Sequence, residues 1–145
     1  VSAFIIDASV AIKWIIEEEG SQAALALRKH SLAAPDLLMA ECANILWKKA
    51  RRGELSADEV RLAASLLMRA DMELMPMRPF LEPASAIAIA LDHSAYDCIY
   101  LAMAEAEQRI FVTADERLLR KIHQDRTKRF VSLAVSLAEA DARLN

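Results

Sequence analysis

Ala3-Phe4-Ile5-Ile6-Asp7-Ala8-Ser9 begins as an apolar run, stops on a carboxylate, and passes at once into residues suited to starting a helix. Ile110-Phe111-Val112-Thr113-Ala114-Asp115 repeats that form late in the chain. Both read as short buried strands, over 3–7 and 110–113, each followed by a helix. Weaker strand patterns lie at Leu74–Met77 and Arg129–Leu133.

Helical patterns fill the intervals. One runs from Ser9 to about Glu18, with Ala11, Trp14 and Ile15 on one face, and stops at Gly20-Ser21. A second spans Gln22 to Lys29. Pro35 suits the first turn of a long helix through Trp47 to Arg52, with Gly53 as its natural stop. Ser56-Ala57-Asp58-Glu59 is a capping box for a helix ending near Asp71. Phe80–Leu91, Ser94–Gln108, a short segment after Asp115 to about Ile122, and the C-terminal residues complete the helices. Strands separated by helices pair in parallel through right-handed crossovers, which makes the fold an α/β sandwich.

Length and composition bound the function. The 145 residues suit one domain over residues 1–145 and bury enough surface to fold without disulfides or structural zinc. With 18 basic and 21 acidic residues the net charge is −3, so bulk positive charge does not hold nucleic acid here. Cys42 and Cys98 have no metal spacing and sit in apolar runs, as buried free thiols of a reducing cytoplasm do. No basic leader with a long apolar stretch begins the chain, and no apolar run approaches the ~18 residues that span a bilayer. The expectation is a cytoplasmic protein with no membrane association. A mean hydropathy of +0.18 suggests apolar surface covered by a partner or a second copy.

Four acids stand out by their surroundings. Asp7 and Asp115 follow strands, where open α/β sheets bind ligands. Glu41 shares only with Asn44 the polar positions of Leu37–Trp47 (LLMAECANILW), and the two lie three apart on one helix face. A helix apolar around its girth is buried, so its Glu needs a partner, a metal or a polar cleft. Asp97 is the only charge in Ala95–Ala104. Each also has an ordinary explanation. Asp7 and Asp115 suit helix caps, Glu41 a solvated stripe, and Asp97 the last place of a Ser94-x-x-Asp97 box. Together they ask for more, because four converging carboxylates repel one another and a divalent cation relieves that. Oxygen donors without His or Cys suit Mg²⁺ or Mn²⁺, and so phosphoryl chemistry. His30, His93 and His123 lack pair spacing and read as neither ligand nor base. Trp14, Trp47, Met68, Met72, Met75 and Met77 read as core or interface.

The stretches Ile5–Trp14 (IIDASVAIKW), Ala34–Lys48 (APDLLMAECANILWK), Tyr96–Glu105 (YDCIYLAMAE) and Val112–Leu119 (VTADERLL) resemble, in order and spacing, the PIN-domain ribonucleases, above all the VapC toxins of toxin–antitoxin pairs. Arg51–Ser56 (RRGELS) fits the same resemblance. It implies a three-layer α/β/α sandwich with a mainly parallel sheet, and metal-dependent hydrolysis of RNA. It places the catalytic, metal-binding acids at Asp7, Glu41, Asp97 and Asp115, with Ser9, Asn44 and Thr113 in support. It leaves open which way the next residue, Glu116, points. The implied cofactor is Mg²⁺ or Mn²⁺. The implied partners are a tRNA or rRNA substrate, a small antitoxin and a second copy in a homodimer.

The acidic balance is compatible with RNA. Setting the four site acids aside leaves 17 acids against 18 basic residues, and the basic ones cluster. Lys48, Lys49, Arg51 and Arg52 end the Glu41 helix, while Arg117, Arg120 and Lys121 follow Asp115; both groups suit phosphate contacts, and both also suit solvated helix ends. Other readings fit less well. A haloacid-dehalogenase-type phosphatase needs a second Asp where Ser9 stands, and a receiver domain needs an acidic pair and a late strand-end Lys. A PIN-like module that binds RNA or protein without cleaving remains the alternative.

Overall fold

The strands are β1 (Ala3–Ile6), β2 (Ser31–Pro35), β3 (Glu73–Met75), β4 (Ile110–Thr113) and β5 (Ala134–Ser136), in a computed structural model that describes residues 3–144. They form one sheet in the order β3-β2-β1-β4-β5, parallel at every pairing. The helices are α1 (Ala8–Ala11), α2 (Ser21–Ala26), α3 (Leu37–Arg51), α4 (Ala57–Met68), α5 (Leu81–Leu91), α6 (Ala95–Glu107), α7 (Glu116–Gln124) and α8 (Leu137–Leu144). Single 3₁₀ turns occupy Ile12–Trp14, Leu27–Lys29 and Arg78–Phe80.

Connectivity sets the layers. The chain steps from β1 to β2 to β3 in one direction, then returns past β1 to β4 and β5. Right-handed crossovers therefore put α1–α4 on one face and α5–α7 on the other, the three-layer α/β/α arrangement. The reversal falls between β1 and β4, the switch point where such sheets open a crevice at their carboxyl ends. Ile5, Ile6, Phe111 and Val112 of these two central strands are fully buried, and Ile6 pairs with Val112. The next residues along the two strands, Asp7 and Thr113, thus arrive at the same edge.

Several elements differ from the sequence expectation. β2 was not expected, because Ser-Leu-Ala-Ala-Pro has weak strand propensity. Its alanines, Ala33 and Ala34, are fully buried beneath the α6 layer, where small side chains let the layers approach. Pro35 closes this strand rather than opening α3, and as the last strand residue it removes a single donor from the ladder. The helix expected over residues 9–18 shrinks to α1 and a 3₁₀ turn. β3 begins one residue before Leu74, and the last strand follows Leu133 instead of ending there. α3 is not buried around its girth. It buries Leu38, Cys42 and Leu46, while Trp47 is half exposed with Arg51 lying 5.1 Å over its ring. Met68 is exposed and so is not core. Trp14 is core, its indole N–H donating to the Ala24 carbonyl. Cys42 and Cys98 are buried and unbridged, and burial pushes their thiols up to about 12 and about 11, so both stay protonated at neutral pH. No helix among the described residues is long and apolar enough to cross a membrane.

Candidate metal centre and active site

Asp7 ends β1 and caps α1, and its carboxylate is fully engaged. Oδ1 accepts from the Ser9 hydroxyl at 2.5 Å and the Val10 N–H at 3.3 Å, and Oδ2 accepts from the Thr113 hydroxyl at 2.5 Å. The two hydroxyls are themselves tied to the β4 exit, since Ser9 Oγ accepts the Ala114 N–H and Thr113 Oγ1 accepts the Asp115 N–H. This relay locks the two strand ends together and gives Ser9 and Thr113 a definite job. Asp115 caps α7 by accepting the Arg117 and Leu118 N–H groups on Oδ1, which leaves its other oxygen uncommitted by the cap. Its cap reading and its site reading are therefore compatible.

Glu41 and Asp97 come from opposite layers. Glu41 projects from α3 and accepts a 2.5 Å hydrogen bond on Oε1 from Tyr100 Oη of α6. Tyr100 is fully buried and stacks on Phe111 of β4, with ring centroids 5.5 Å apart, so the phenol is a fixed post. Asp97 stands in the first turn of α6, its Oδ2 only 2.6 Å from His93 Nε2. A cleft of about 220 Å³ brings Asp7, Ser9, Glu41, Asn44, Asp97 and Asp115 together. Asp97 and Asp115 also line a second hollow of about 370 Å³ with His93, Ser94 and Arg117.

The electrostatics follow from burial and crowding. Asp7 is pushed up to about 7, first by burial and then by Asp97 and Glu41, against the pull of its two hydroxyl donors. Burial also raises Glu41, opposed by Tyr100 and reinforced by Asp97. Asp97 is raised by burial and by Asp115, with His93 opposing. Three neighbouring acids that all resist ionisation make a poor structural device and a good receptor for a divalent cation. The donors are hard oxygens, with one imidazole beside them. Ligand atoms of His93, Asp97 and Asp115 lie within 4.8 Å of one another, a spacing that fits a single ion. The residues present fit such a cation.

The remaining candidates are placed as follows. Asn44 is exposed and lines the cleft one turn from Glu41. Lys48 and Arg51 are exposed in the last turn of α3, Arg117 in the first turn of α7 and Arg120 in its middle. Lys49 is largely buried and ion-paired with Glu18 at 3.3 Å, Arg52 pairs with Glu54, and Lys121 donates to the Asp92 carbonyl. These three are already engaged in contacts within the fold. Glu116 lines a separate hollow with Lys13 and Ser136, away from the acids. Sequence reasoning missed His93 and Tyr100. The His93-x-x-x-Asp97 spacing was visible but masked by the Ser94-x-x-Asp97 box, whereas Tyr100 and Glu41 are 59 residues apart and meet only through packing.

A model of the PIN domain matches residues 4–123. The chain belongs to the PIN-domain family. Ribonuclease VapC3 of Pyrobaculum aerophilum is 34% identical over 122 residues, covering 81% of this chain and 92% of that protein. Ribonuclease VapC9 of Mycobacterium tuberculosis is 33% identical over 114 residues, covering 79% and 87%. Among solved structures, PAE2754 from Pyrobaculum aerophilum superposes with a TM-score of 0.72 at 24% identity, over 99% of this chain and 95% of the other. Mycobacterium tuberculosis VapC20, a toxin that cleaves the sarcin–ricin loop, superposes with a TM-score of 0.60 at 13% identity, over 76% and 86%. Both structures share the fold of this PIN domain.

Proposed function

We propose that this chain, acting as one PIN domain over residues 1–145, is a Mg²⁺- or Mn²⁺-dependent endoribonuclease and the cytoplasmic toxin of a VapBC-type toxin–antitoxin pair. The carrying observation is the convergence of Asp7, Glu41, Asp97 and Asp115 on one cleft at the β1/β4 switch point. VapC relatives at about one-third identity supply the reaction class.

Asp7, Asp97 and Asp115 would hold the cation, and Glu41 would hold it directly or through water. When bound, the cation neutralises the clustered charge, acidifies a water and polarises the scissile phosphate. The protein's own residues do the positioning. Ser9 and Thr113 fix both oxygens of Asp7, and Tyr100 leaves Glu41 one free oxygen with which to orient the attacking water. Attack in line with the leaving oxygen then breaks the phosphodiester bond without a covalent enzyme intermediate. Arg117, which lines the adjoining hollow, and the exposed Lys48, Arg51 and Arg120 would contact the RNA backbone.

The substrate proposed is a loop of tRNA or rRNA, read by shape. The antitoxin and a second copy of the chain have surface to cover. Leu25, Trp47, Leu62, Leu66 and Met68, all on α2–α4, are exposed. The test is cleavage of total RNA by purified, antitoxin-free protein with Mg²⁺ or Mn²⁺ against EDTA, alongside Asp7→Asn. Discrete products that need metal and vanish in the variant are expected. No cleavage by folded protein with either metal would sink the nuclease reading.

A further inference from the structure

The turn between α5 and α6 is fixed from several sides. α5 ends at Leu91, and Asp92 takes a left-handed conformation (φ 50°, ψ 54°) that reverses the chain. The His93 N–H returns to the Ala88 carbonyl, and Lys121 of α7 donates to the Asp92 carbonyl. The His93 side chain is only 6% exposed, and its Nε2 reaches Asp97 Oδ2 at 2.6 Å. Ser94 and Asp97 have the spacing of a capping box, yet Ser94 makes no side-chain cap bond and Asp97 turns to the imidazole instead. A helix start that forgoes its own cap leaves this carboxylate free for another purpose.

We infer that His93 is a positioning residue of the cation site, its imidazole holding one oxygen of Asp97 so that the other is presented to the metal. The inference rests on the metal-dependent reading above. The 2.6 Å contact commits His93 Nε2 and Asp97 Oδ2 to each other and leaves Asp97 Oδ1 for another partner. Positioning therefore describes the observed geometry better than direct ligation, although the imidazole lies close enough to the acids for a ligand. Removing a hydrogen-bond partner of a ligating carboxylate lowers metal affinity by about 10–100-fold.

The test is Mn²⁺ binding to metal-free protein, followed by EPR, with folding checked by circular dichroism. His93→Ala is expected to weaken binding by about 10–100-fold. His93→Gln, whose amide nitrogen reaches where Nε2 stood, is expected to recover most of it, while His93→Asn, one methylene shorter, is not. His123→Ala, which removes an exposed imidazole that lines neither hollow of the acids, should leave the affinity unchanged. Should His93→Ala fail to fold, the Gln and Asn variants carry the same contrast. Unchanged affinity in folded His93→Ala or His93→Asn overturns the inference. So does a directly coordinated ¹⁴N coupling at Mn²⁺ that disappears in the variants, which would make His93 a ligand. Loss of binding in Asp97→Asn with His93 variants unaffected would refute the inference and leave the metal reading intact. Wild-type protein that takes up no Mn²⁺ would overturn both.

Discussion

At the start of α4, Ser56 Oγ accepts the Glu59 N–H at 3.1 Å and Glu59 accepts the Ser56 N–H at 2.9 Å, closing a reciprocal box on the surface. At the start of α6, Ser94 and Asp97 stand at the same spacing, the box stays open, and the acid faces a cleft shared with three other acids. Hydrogen bonds to Ser56 hold the Glu59 carboxyl below its usual range, while burial lifts Asp97 above its own. One sequence signature thus serves a fold in one place and a site in the other. What separates them is tertiary: α4 begins in solvent, whereas α6 begins at the sheet's carboxyl edge among other charges.

The sharpest break between the two is chemical. Asp97→Asn is expected to lower kcat/KM for RNA by more than about 100-fold, because a ligand outweighs its outer partners. Glu59→Gln should leave kcat/KM unchanged. Equal effects at the two acids would erase the distinction.

Stability against pH should also differ in sign between them. A native Asp7 carboxyl at about 7 holds its proton more tightly than the unfolded chain does, whose value is near 3.8. That contribution is complete below the unfolded value and is lost as pH rises through about 7. Glu41 and Asp97 act in the same direction. Glu59, lowered instead, contributes above its ordinary value and loses that contribution as pH falls. Metal-free protein should therefore melt at least roughly 5 °C lower at pH 8 than at pH 5, with Mg²⁺ restoring the difference by binding the native state. A flat melting profile would contradict the crowding of the acids.

Tyr100→Phe removes the donor to Glu41 and keeps the ring stacked on Phe111. About a 10-fold loss in Mn²⁺ affinity or cleavage is expected, with the fold retained. The smallest effect belongs to the closed box. Ser56→Ala should cost about 1 kcal/mol, or roughly 2–4 °C in melting temperature, and leave cleavage untouched.

The acids were legible because a charge inside an apolar run has few structural uses, and β1 and β4 because β-branched and aromatic runs ended on them. β2 was not legible. Its alanines and its terminal proline carry no strand signal, and the segment is a strand because α6 needs small side chains beneath it. Glu41 meets a partner and a polar cleft, as its apolar surroundings in sequence imply, but its helix is not buried all round. The girth of α3 is apolar in sequence, but only Leu38, Cys42 and Leu46 are buried, and Trp47 is half exposed. Tyr100 was invisible for a different reason, since its role depends on a contact between opposite layers of the sandwich.

Asp7, Glu41, Asp97 and Asp115 would together hold one cation in the cleft they share. A crystal grown with Mn²⁺ and measured for anomalous scattering would show whether they do. An anomalous peak is expected in the cleft, within coordination distance of Asp7, Asp97 and Asp115. Ordered carboxylates with no peak between them, or a peak only elsewhere on the molecule, would contradict it.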